Sequence, residues 1–477
     1  MSEAPYTVCV RSPTRLEARA LDPDPPLVAL RPALERLPRL VWLESAERTG
    51  GAGRWSLLGL RYGPVVRATI EGGDDGLARI ECALAALREG LSPEAWRAQR
   101  EALGLPFAGG AVGWIGYGHG RRFERVRGAR PAPGRTGLWF SVLSHLVLED
   151  RLAARRWLVG TRRGFAAAFE QWRRLCALAR PGPAAPHGAS PRAVAASFDR
   201  AGYERAVERA IAWIRAGDIF EANLSQQVVA HGHDAPLAVW SRLLEAAPAP
   251  MMALVRTGGH TVLSASPERF VRVVGRRCES WPIKGTRARS ADPVRDAQAA
   301  ETLRRSSKDR AELAMIVDLV RNDLGRVAEP GSVRVRDEAA LVSFSTVHHL
   351  VGRVEARLAP GRSGFDLLRA AFPAGSITGA PKPRAMEIIE ALEPVDRGVY
   401  TGAIGWIGAD GDLDTNVAIR TIELEGGRAR FGIGGAVTAE SDPRAEYDET
   451  LAKGAALARA LGFEIERITT RRERRAP

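Results

Sequence analysis

The chain has 477 residues, 45% of them hydrophobic and 26% charged, which suits a large buried core and excludes a disordered or low-complexity protein. The formal net charge of +13 raises the question of a nucleic-acid or membrane-surface partner. The arginines are spread along the chain, with no zinc-finger spacing, basic-region heptads or aromatic RNA-reading motif, and no apolar run approaches the ~20 residues of a membrane span, so neither partner is expected.

In chain order, the N-terminal segment lacks an apolar core of signal-peptide length. The four cysteines, Cys9, Cys82, Cys176 and Cys278, form no CxxC pair. That pattern argues for reduced thiols, no zinc site and a cytoplasmic protein. Residues 1–180 mix strand-like runs ("LVWLES", "LWFSVLSHLVLED") with a helical stretch ("ARIECALAALREG"). The Gly-rich "GGAVGWIGYG" (109–118) lacks the helix start and later acidic residue of a nucleotide fingerprint and reads as a strand pair with tight turns. "RPGPAAPHGASPR" (180–192) is the clearest boundary. Beyond it, 196–465 forms a second region, and 466–477 a basic tail.

In that second region, "DRAGYERAVERAIAWIRAG" predicts a helix with Asp199 as N-cap and Gly217 just past its end. Strands are expected over 261–274, 278–285, 402–410, 416–424 and 428–437, and helices over 309–327 and 444–461. Strands come in adjacent groups with helices between the groups, which favours an α+β fold over a regular βαβ alternation.

Of the 69 Lys plus Arg, only Lys284, Lys308, Lys382 and Lys453 are lysines. Arginine cannot shed its proton near neutral pH and lysine can, so a retained lysine marks a place where an amine or a compact ammonium is needed. Chance retention on the surface is the alternative. Lys284 lies in "WPIKGTRAR", between a proline and a glycine that leave the backbone little freedom. Glu268 follows a proline sixteen residues upstream, and Glu312 projects from the 309–327 helix. Glu446, Glu449 and Lys453 share one face of the last helix, a spacing that also suits an ordinary solvated face. One carboxylate from each of two helices suits Mg²⁺ when substrate oxygens and water complete its shell. Adjacent histidines 348 and 349 point to opposite faces of a strand. The 372–381 loop ends at a helix start, and Gly434 and Gly435 could bring backbone N–H groups against an anion. Arg420 and Thr421 fall on opposite faces of the 416–424 strand, and Arg420 suits bidentate carboxylate binding. Together these groups suggest a small carboxylate-bearing substrate held against Mg²⁺.

From about 200 to 460 the chain resembles the chorismate-utilising enzymes, which include the anthranilate, aminodeoxychorismate, isochorismate and salicylate synthases. The motifs that carry the resemblance are "SASPERF", "PIKGTRAR", "DRAELAMIVDLVRNDLGRV", "VHHLVGRV", "FPAGSITGAPKPRAMEII", "YTGAIGWI", "NVAIRT", "GIGGAVTAESDP" and "EYDETLAK". Residues 1–180 match more loosely, through "LVWLES" and "GRWSLLG". The resemblance implies two packed antiparallel sheets with helices outside, both halves contributing to one large fold. Anthranilate synthases carry Ala at the position of Lys284, and lysine there resembles the aminodeoxychorismate branch. It implies that Lys284 attacks C2 of chorismate as the C4 hydroxyl leaves, and that ammonia then attacks C4 and expels the lysine. An exposed lysine of pKa ~10.4 is neutral about once in a few thousand molecules at pH 7, so the site is expected to depress this pKa. Glu268 is implied as general acid/base, His349 as a second acid/base or hydrogen-bond donor, and Glu312 and Glu449 as Mg²⁺ ligands, with Glu446 a weaker candidate. Tyr400 and Arg420 are implied to hold the enolpyruvyl carboxylate, helped by Gly434, Gly435, Thr378 and Lys453.

Two departures stand out. Glu221 in "FEANLSQQ" stands where amine-transferring members commonly have Gln and water-adding members a base lysine. "APAPMMALV" (247–255) replaces the loop through which anthranilate synthases bind inhibitory tryptophan. The resemblance therefore carries over a tryptophan-type pocket near Ser45, Arg54, Trp55, Pro250 and Met251, but not feedback inhibition. No glutaminase module is legible, so a separate glutamine amidotransferase subunit, or free ammonium, is expected to supply ammonia.

Overall fold

Helices form where caps and periodicity direct them. The computed structural model describes residues 15–46, 53–180 and 191–470; Cys9, most of the 180–192 boundary and the end of the basic tail lie outside them. Asp199 accepts the Gly202 N–H at 2.6 Å and starts the Arg200–Arg215 helix, which buries Tyr203, Val207 and Ile211 and stops before Gly217 at φ +83°. Ser306 and Asp442 cap the Ser307–Gly325 and Pro443–Leu461 helices in the same way. The first of these carries Glu312, and the second Glu446, Glu449 and Lys453. No helix of the described residues is long and apolar enough to cross a membrane.

Prolines divide two of the expected strands. The 261–274 run becomes His260–Ser266 and Arg269–Val274, parted at Pro267, and the 278–285 run becomes Arg277–Trp281 and Ile283–Ala288, parted at Pro282. The 416–424 run is divided by an unusual backbone instead. Arg420 adopts φ +50°, so Leu413–Val417 and Thr421–Glu425 are separate strands and Arg420 belongs to neither. The expected strand pair at 109–118 is a single strand, Gly110–Ile115, followed by a 3-10 turn at Tyr117–Arg122. The strand is paired along both edges, which keeps its glycines extended.

Among the described residues all strand pairings are antiparallel except that of Thr469–Thr470, which lies parallel to Ala193–Ala196. One sheet runs from Leu16–Leu21 through Arg155–Thr161, Thr136–Asp150, Trp55–Thr69, Arg39–Glu44 and Met251–Thr257. It continues through His260–Ser266, Thr421–Glu425, Arg428–Val437 and Glu221–His231 to Ala193–Ala196. The second sheet leaves the same Thr136–Asp150 strand and passes through Gly110–Ile115, Ala403–Gly408, Leu413–Val417 and Arg269–Val274. It ends on Arg277–Trp281, Val347–Arg357 and Arg334–Ser343, with Ile283–Ala288 also on the Val347–Arg357 strand. Strands from before residue 162 and after residue 192 therefore share both sheets.

Alternation along the strands creates three layers of core. Val41, Val255 and Val262 of the first sheet meet Val112, Trp114 and Ile404 of the second in the space between them. The next residues along, Trp42, Leu254 and Leu263, face outward to Trp240, Leu243, Leu457 and Leu461 on helices. On the far side of the second sheet, Ile407, Leu413 and Leu350 pack against Leu313, Ile316 and Val320.

One buried ion pair fixes the loop that reaches the site. Lys382 Nζ donates to Asp323 Oδ2 and to the Ala371 carbonyl, both at 2.8 Å, and so ties the two ends of the 372–381 loop to the Ser307–Gly325 helix. Burial pushes the Asp323 carboxyl up to about 6, with the Lys382 ammonium opposing it. Removing one partner of a buried pair costs roughly 3 kcal/mol. Lys382→Met is therefore expected to lose about that much stability in denaturant unfolding at pH 8. The loss should shrink at pH 5: the lone Asp323 carboxyl is raised above its unfolded value, so its penalty grows as pH rises.

Candidate active site

The site residues gather where the chain crosses between the sheets. Pro267 and Glu268 form that crossing, with His260–Ser266 in the first sheet and Arg269–Val274 in the second. The Glu268 carboxylate is buried and accepts the Ser376 hydroxyl at 2.5 Å. Burial lifts its pKa to about 7, against the Ser376 hydroxyl and the nearby Lys284 ammonium. A carboxyl poised there can give or take a proton near neutrality.

Lys284 lies on the Ile283–Ala288 strand, 9% exposed, and its Nζ donates to Glu221 Oε1 at 2.6 Å. Glu221 begins the Glu221–His231 strand of the other sheet and is fully buried, with Oε2 free of any partner. Its place is set by the 372–381 loop, where Ala380 pairs with Glu221 and Gly379 with Ala222. Only glycine fits at 379, because its φ is +137° and a Cβ would come within 2.0 Å of the Glu221 carbonyl oxygen. The pair overturns the expectation that the free site depresses the lysine pKa. Burial does push the amine down, but Glu221, followed by Glu312 and Glu268, outweighs it and holds Lys284 above its ordinary value. The charged groups that act on the amine are carboxylates.

His349 is buried on the Val347–Arg357 strand. Its Nδ1 lies 3.0 Å from the Gly285 carbonyl and 3.1 Å from the Thr286 hydroxyl. The carbonyl can only accept, so Nδ1 carries the proton and Nε2, buried without a partner, presents a lone pair. Burial lowers the ring pKa to about 3, so His349 is neutral and offers an acceptor. His348 points the other way, to Ser343 and Asp296, as strand alternation requires.

Three carboxylates frame the far side. A Cβ at Gly435 would lie 3.1 Å from Glu446 Oε2, 3.6 Å from Glu449 Oε1 and 3.7 Å from Lys453 Nζ. Glu446 Oε1 accepts the Ser441 hydroxyl at 2.7 Å, while Oε2 is buried and unpartnered. Glu449 pairs with Lys453 at 2.7 Å, and Lys453 also donates to the Gly434 carbonyl at 3.1 Å. Glu312 is raised chiefly by burial, and feels Lys284 and Lys308. Among the described residues, no three His, Cys, Asp or Glu side chains already converge as a metal cage. The unpartnered Glu446 oxygen and the burial-raised Glu312 and Glu446 are hard oxygen donors short of positive charge, which fits Mg²⁺ completed by substrate and water.

The remaining predicted residues divide. Arg420 is held at φ +50° within electrostatic reach of His349; burial lowers its pKa, and among the described residues no anion pairs with it. Such a left-handed arginine stores strain of a kind found at ligand sites. The buried Tyr400 ring fills the space that a side chain at Gly432 would need. The Thr378 hydroxyl is spent inside its own loop, on the Ala374 and Gly375 carbonyls. Ser45, Arg54, Trp55, Pro250 and Met251 together line a separate cavity of about 330 Å³ between the sheets. Sequence reading missed two polar anchors. Ser376 was legible only as part of an anion loop. The Arg397–Glu393 pair, which holds the Asn223 carbonyl and Ser225, gave no local signal because its partners lie about 170 residues away.

Residues 46–459 match the model of the chorismate binding enzyme family. The chain is 40% identical over 440 residues to anthranilate synthase component 1 of Streptomyces coelicolor, covering 88% of this chain and 83% of the relative. It is also 40% identical over 363 residues to aminodeoxychorismate synthase component 1 of Salmonella typhimurium, covering 73% and 76%. The crystal structure of anthranilate synthase component I from Streptococcus pneumoniae superposes with a TM-score of 0.73 at 28% identity, over 86% of this chain and 93% of that one. With the fold, the site and these relatives in agreement, the chain belongs to the chorismate binding enzyme family.

Proposed function

We propose that the chain aminates chorismate at C4 with ammonia, giving 4-amino-4-deoxychorismate, through a covalent adduct on Lys284. Equal identity to relatives of both names means that overall similarity does not separate C4 from C2 amination. The observation that carries the choice is Lys284 itself, an amine buried among Glu221, Glu268 and Glu312 where anthranilate synthases, by the resemblance, have Ala.

In this reading the neutral Lys284 amine bonds to C2, the ring electrons shift toward C4, and the C4–O bond breaks. Glu268 protonates the departing hydroxyl, which leaves as water. Ammonia then bonds to C4, the electrons return, and the C2–N bond breaks to free the lysine. Glu268 takes the surplus proton from the new amine, so the net change is chorismate plus ammonia to aminodeoxychorismate plus water. The His349 Nε2 lone pair accepts an N–H or O–H of the reactants. Arg420 and Tyr400 bind the enolpyruvyl carboxylate, with Gly434, Gly435, Thr378 and Lys453 shaping the site. Glu312 and Glu449, with Glu446 beside them, would hold Mg²⁺, which supplies positive charge against the ring carboxylate. The separate 330 Å³ cavity suits an indole amino acid in volume.

A second reading, amination at C2 to anthranilate, is favoured by the Streptomyces coelicolor relative. Mass-spectrometric product identification from chorismate, Mg²⁺ and ammonium separates the two. Aminodeoxychorismate is expected, and fluorescent anthranilate as the main product would overturn the C4 reading. Relatives named as component 1 support a partner that supplies ammonia. Glutamine should therefore be used only after a glutamine amidotransferase subunit is added.

Lys284→Arg keeps the charge and loses the chemistry, so it is expected to be as inactive as Lys284→Met. Lys284→Ala should shift residual product toward anthranilate. Intact-protein mass spectrometry of wild type with chorismate, followed by peptide mapping, should place the adduct on residue 284. Near-wild-type turnover of Lys284→Arg would reduce the lysine to a binding group.

The metal assignment predicts that Glu312→Gln or Glu449→Gln lowers turnover by roughly 100-fold or more, the scale of losing one electrostatic stabiliser. Melting temperature without Mg²⁺ should barely change. Wild-type turnover that survives EDTA would remove the metal from the scheme.

A further inference from the structure

The reaction scheme leaves one buried group without a task. Glu221 is fully buried, and its carboxylate spends one oxygen on Lys284 Nζ at 2.6 Å while the other has no partner. A carboxylate sealed in this way is costly unless its position serves something. Its backbone is clamped from both sides: Ala380 and Gly379 pair along one edge, and Val437 pairs with Ala222 along the other. The Phe220 N–H adds a 2.7 Å bond to the Ala380 carbonyl. The backbone that carries the carboxyl is therefore fixed opposite the lysine.

We propose that Glu221 is the positioning residue of Lys284, fixing its amine in the free enzyme as an ammonium and accepting its proton as the amine attacks. This deepens the amination reading and rests on it for the attack itself. The proton moves from Nζ to the Glu221 carboxylate, converting an ion pair into a neutral amine and a neutral acid. A half-turn of the carboxyl carries the protonated oxygen into the position away from the lysine and brings the unprotonated one to face Nζ. That unprotonated oxygen accepts an N–H, and the Nζ lone pair is left free for the substrate. When the C2–N bond breaks, the amine takes the same proton back, so the exchange with solvent is nil.

The neighbours favour this division of labour. Glu268 on the sheet crossing and Glu312 on the Ser307–Gly325 helix add negative charge around Lys284, and Glu449 on the last helix feels the lysine as well. His349, on the strand that pairs with the Lys284 strand, is neutral and takes no charge from either group. With carboxylates on several sides and, among the described residues, no other ammonium bonded to Glu221, Lys284 has no reason to lose its proton until another group takes it.

The test uses the full chain and two readouts. Acetic anhydride labelling with peptide mapping, without substrate, reports the neutral fraction of Lys284. Replacing Glu221 by Gln keeps the shape and removes the counter-charge, so burial then acts with less opposition. Labelling of Lys284 in Glu221→Gln should be at least roughly tenfold faster than in wild type at pH 9, the equivalent of about one unit of lowered pKa. Unchanged labelling would overturn the proposal.

The second readout is the ratio of kcat/KM for Glu221→Gln to that for wild type from pH 6.5 to 9.5 with ammonium, which cancels the free-ammonia fraction. In wild type the pair keeps its single shared proton over that range. In the variant the lysine must lose its proton to solvent. The ratio should be about 0.01 at pH 7, the scale of one lost general base, and climb roughly tenfold per unit as pH rises toward the new lysine pKa. Glu221→Asp keeps the acceptor and should show a pH-independent ratio. A Glu221→Gln ratio that is flat across the range, whatever its size, overturns the acceptor role. Faster labelling in a chain that makes no aminodeoxychorismate would leave the ion-pair role standing and reject the amination reading instead.

Discussion

The site is governed by an excess of buried acid over available base. Glu221, Glu268 and Glu446 are each at most 5% exposed, yet among the described residues the only cation bonded to any of them is Lys284. Carboxylates taken out of water must be neutralised, paired or raised in pKa. Two of these outcomes occur here: Glu221 is paired, and Glu268 and Glu446 are raised by burial, with one Glu446 oxygen unpartnered among the described residues. The remaining polar architecture follows from that imbalance. Ser376 and Ser441 are neutral hydroxyls spent on stabilising carboxylates, and the 372–381 loop is latched by Lys382 so that Ser376 stays in reach.

The same imbalance explains why lysine persists in a chain that otherwise uses arginine. Lys284 and Lys382 both occupy buried places where a compact ammonium meets one carboxylate, and a guanidinium, wider and with five donors, would leave N–H groups unsatisfied. Lys308 and Lys453 are more exposed and serve a looser purpose, as charges at 4.0 Å from Glu312 and 2.7 Å from Glu449. The scarce lysines of the sequence thus sit beside carboxylates, which the sequence did not disclose, nor the direction of the Lys284 pKa shift. That direction depends on Glu221, 63 residues away in sequence and on the other sheet.

What was legible in the sequence follows a physical boundary between local and distant causes. Helix caps such as Asp199 and the outward turn of His348 are decided within a few residues, and they appear where local rules place them. The division of strands at Pro267 and Pro282 was equally local, but it hides behind continuous apolar patterning that favours one long strand. Arg420 defeats the pattern in another way. Its left-handed backbone is held by tertiary contacts, including the Ala265 N–H on its carbonyl, and nothing in "NVAIRT" announces it. The Glu221–Lys284 and Lys382–Asp323 pairs each join elements separated by about 60 residues, so single-chain reading could name the members and not the matches.

The two long strands Trp55–Thr69 and Thr136–Asp150 carry a consequence for anyone who would cut or recombine this chain. Each lies in the first sheet at one end, and the second sheet starts from the other. The catalytic half therefore has no edge of its own on that side: strands Met251–Thr257 and Ala403–Gly408 both end against N-terminal partners. Expressed alone, it would present two bare, hydrogen-bond-hungry borders, a template for self-association rather than a smaller enzyme. Recombination between homologues should respect the sheet network instead of the proline-rich seam, and the productive unit of exchange is the whole sandwich.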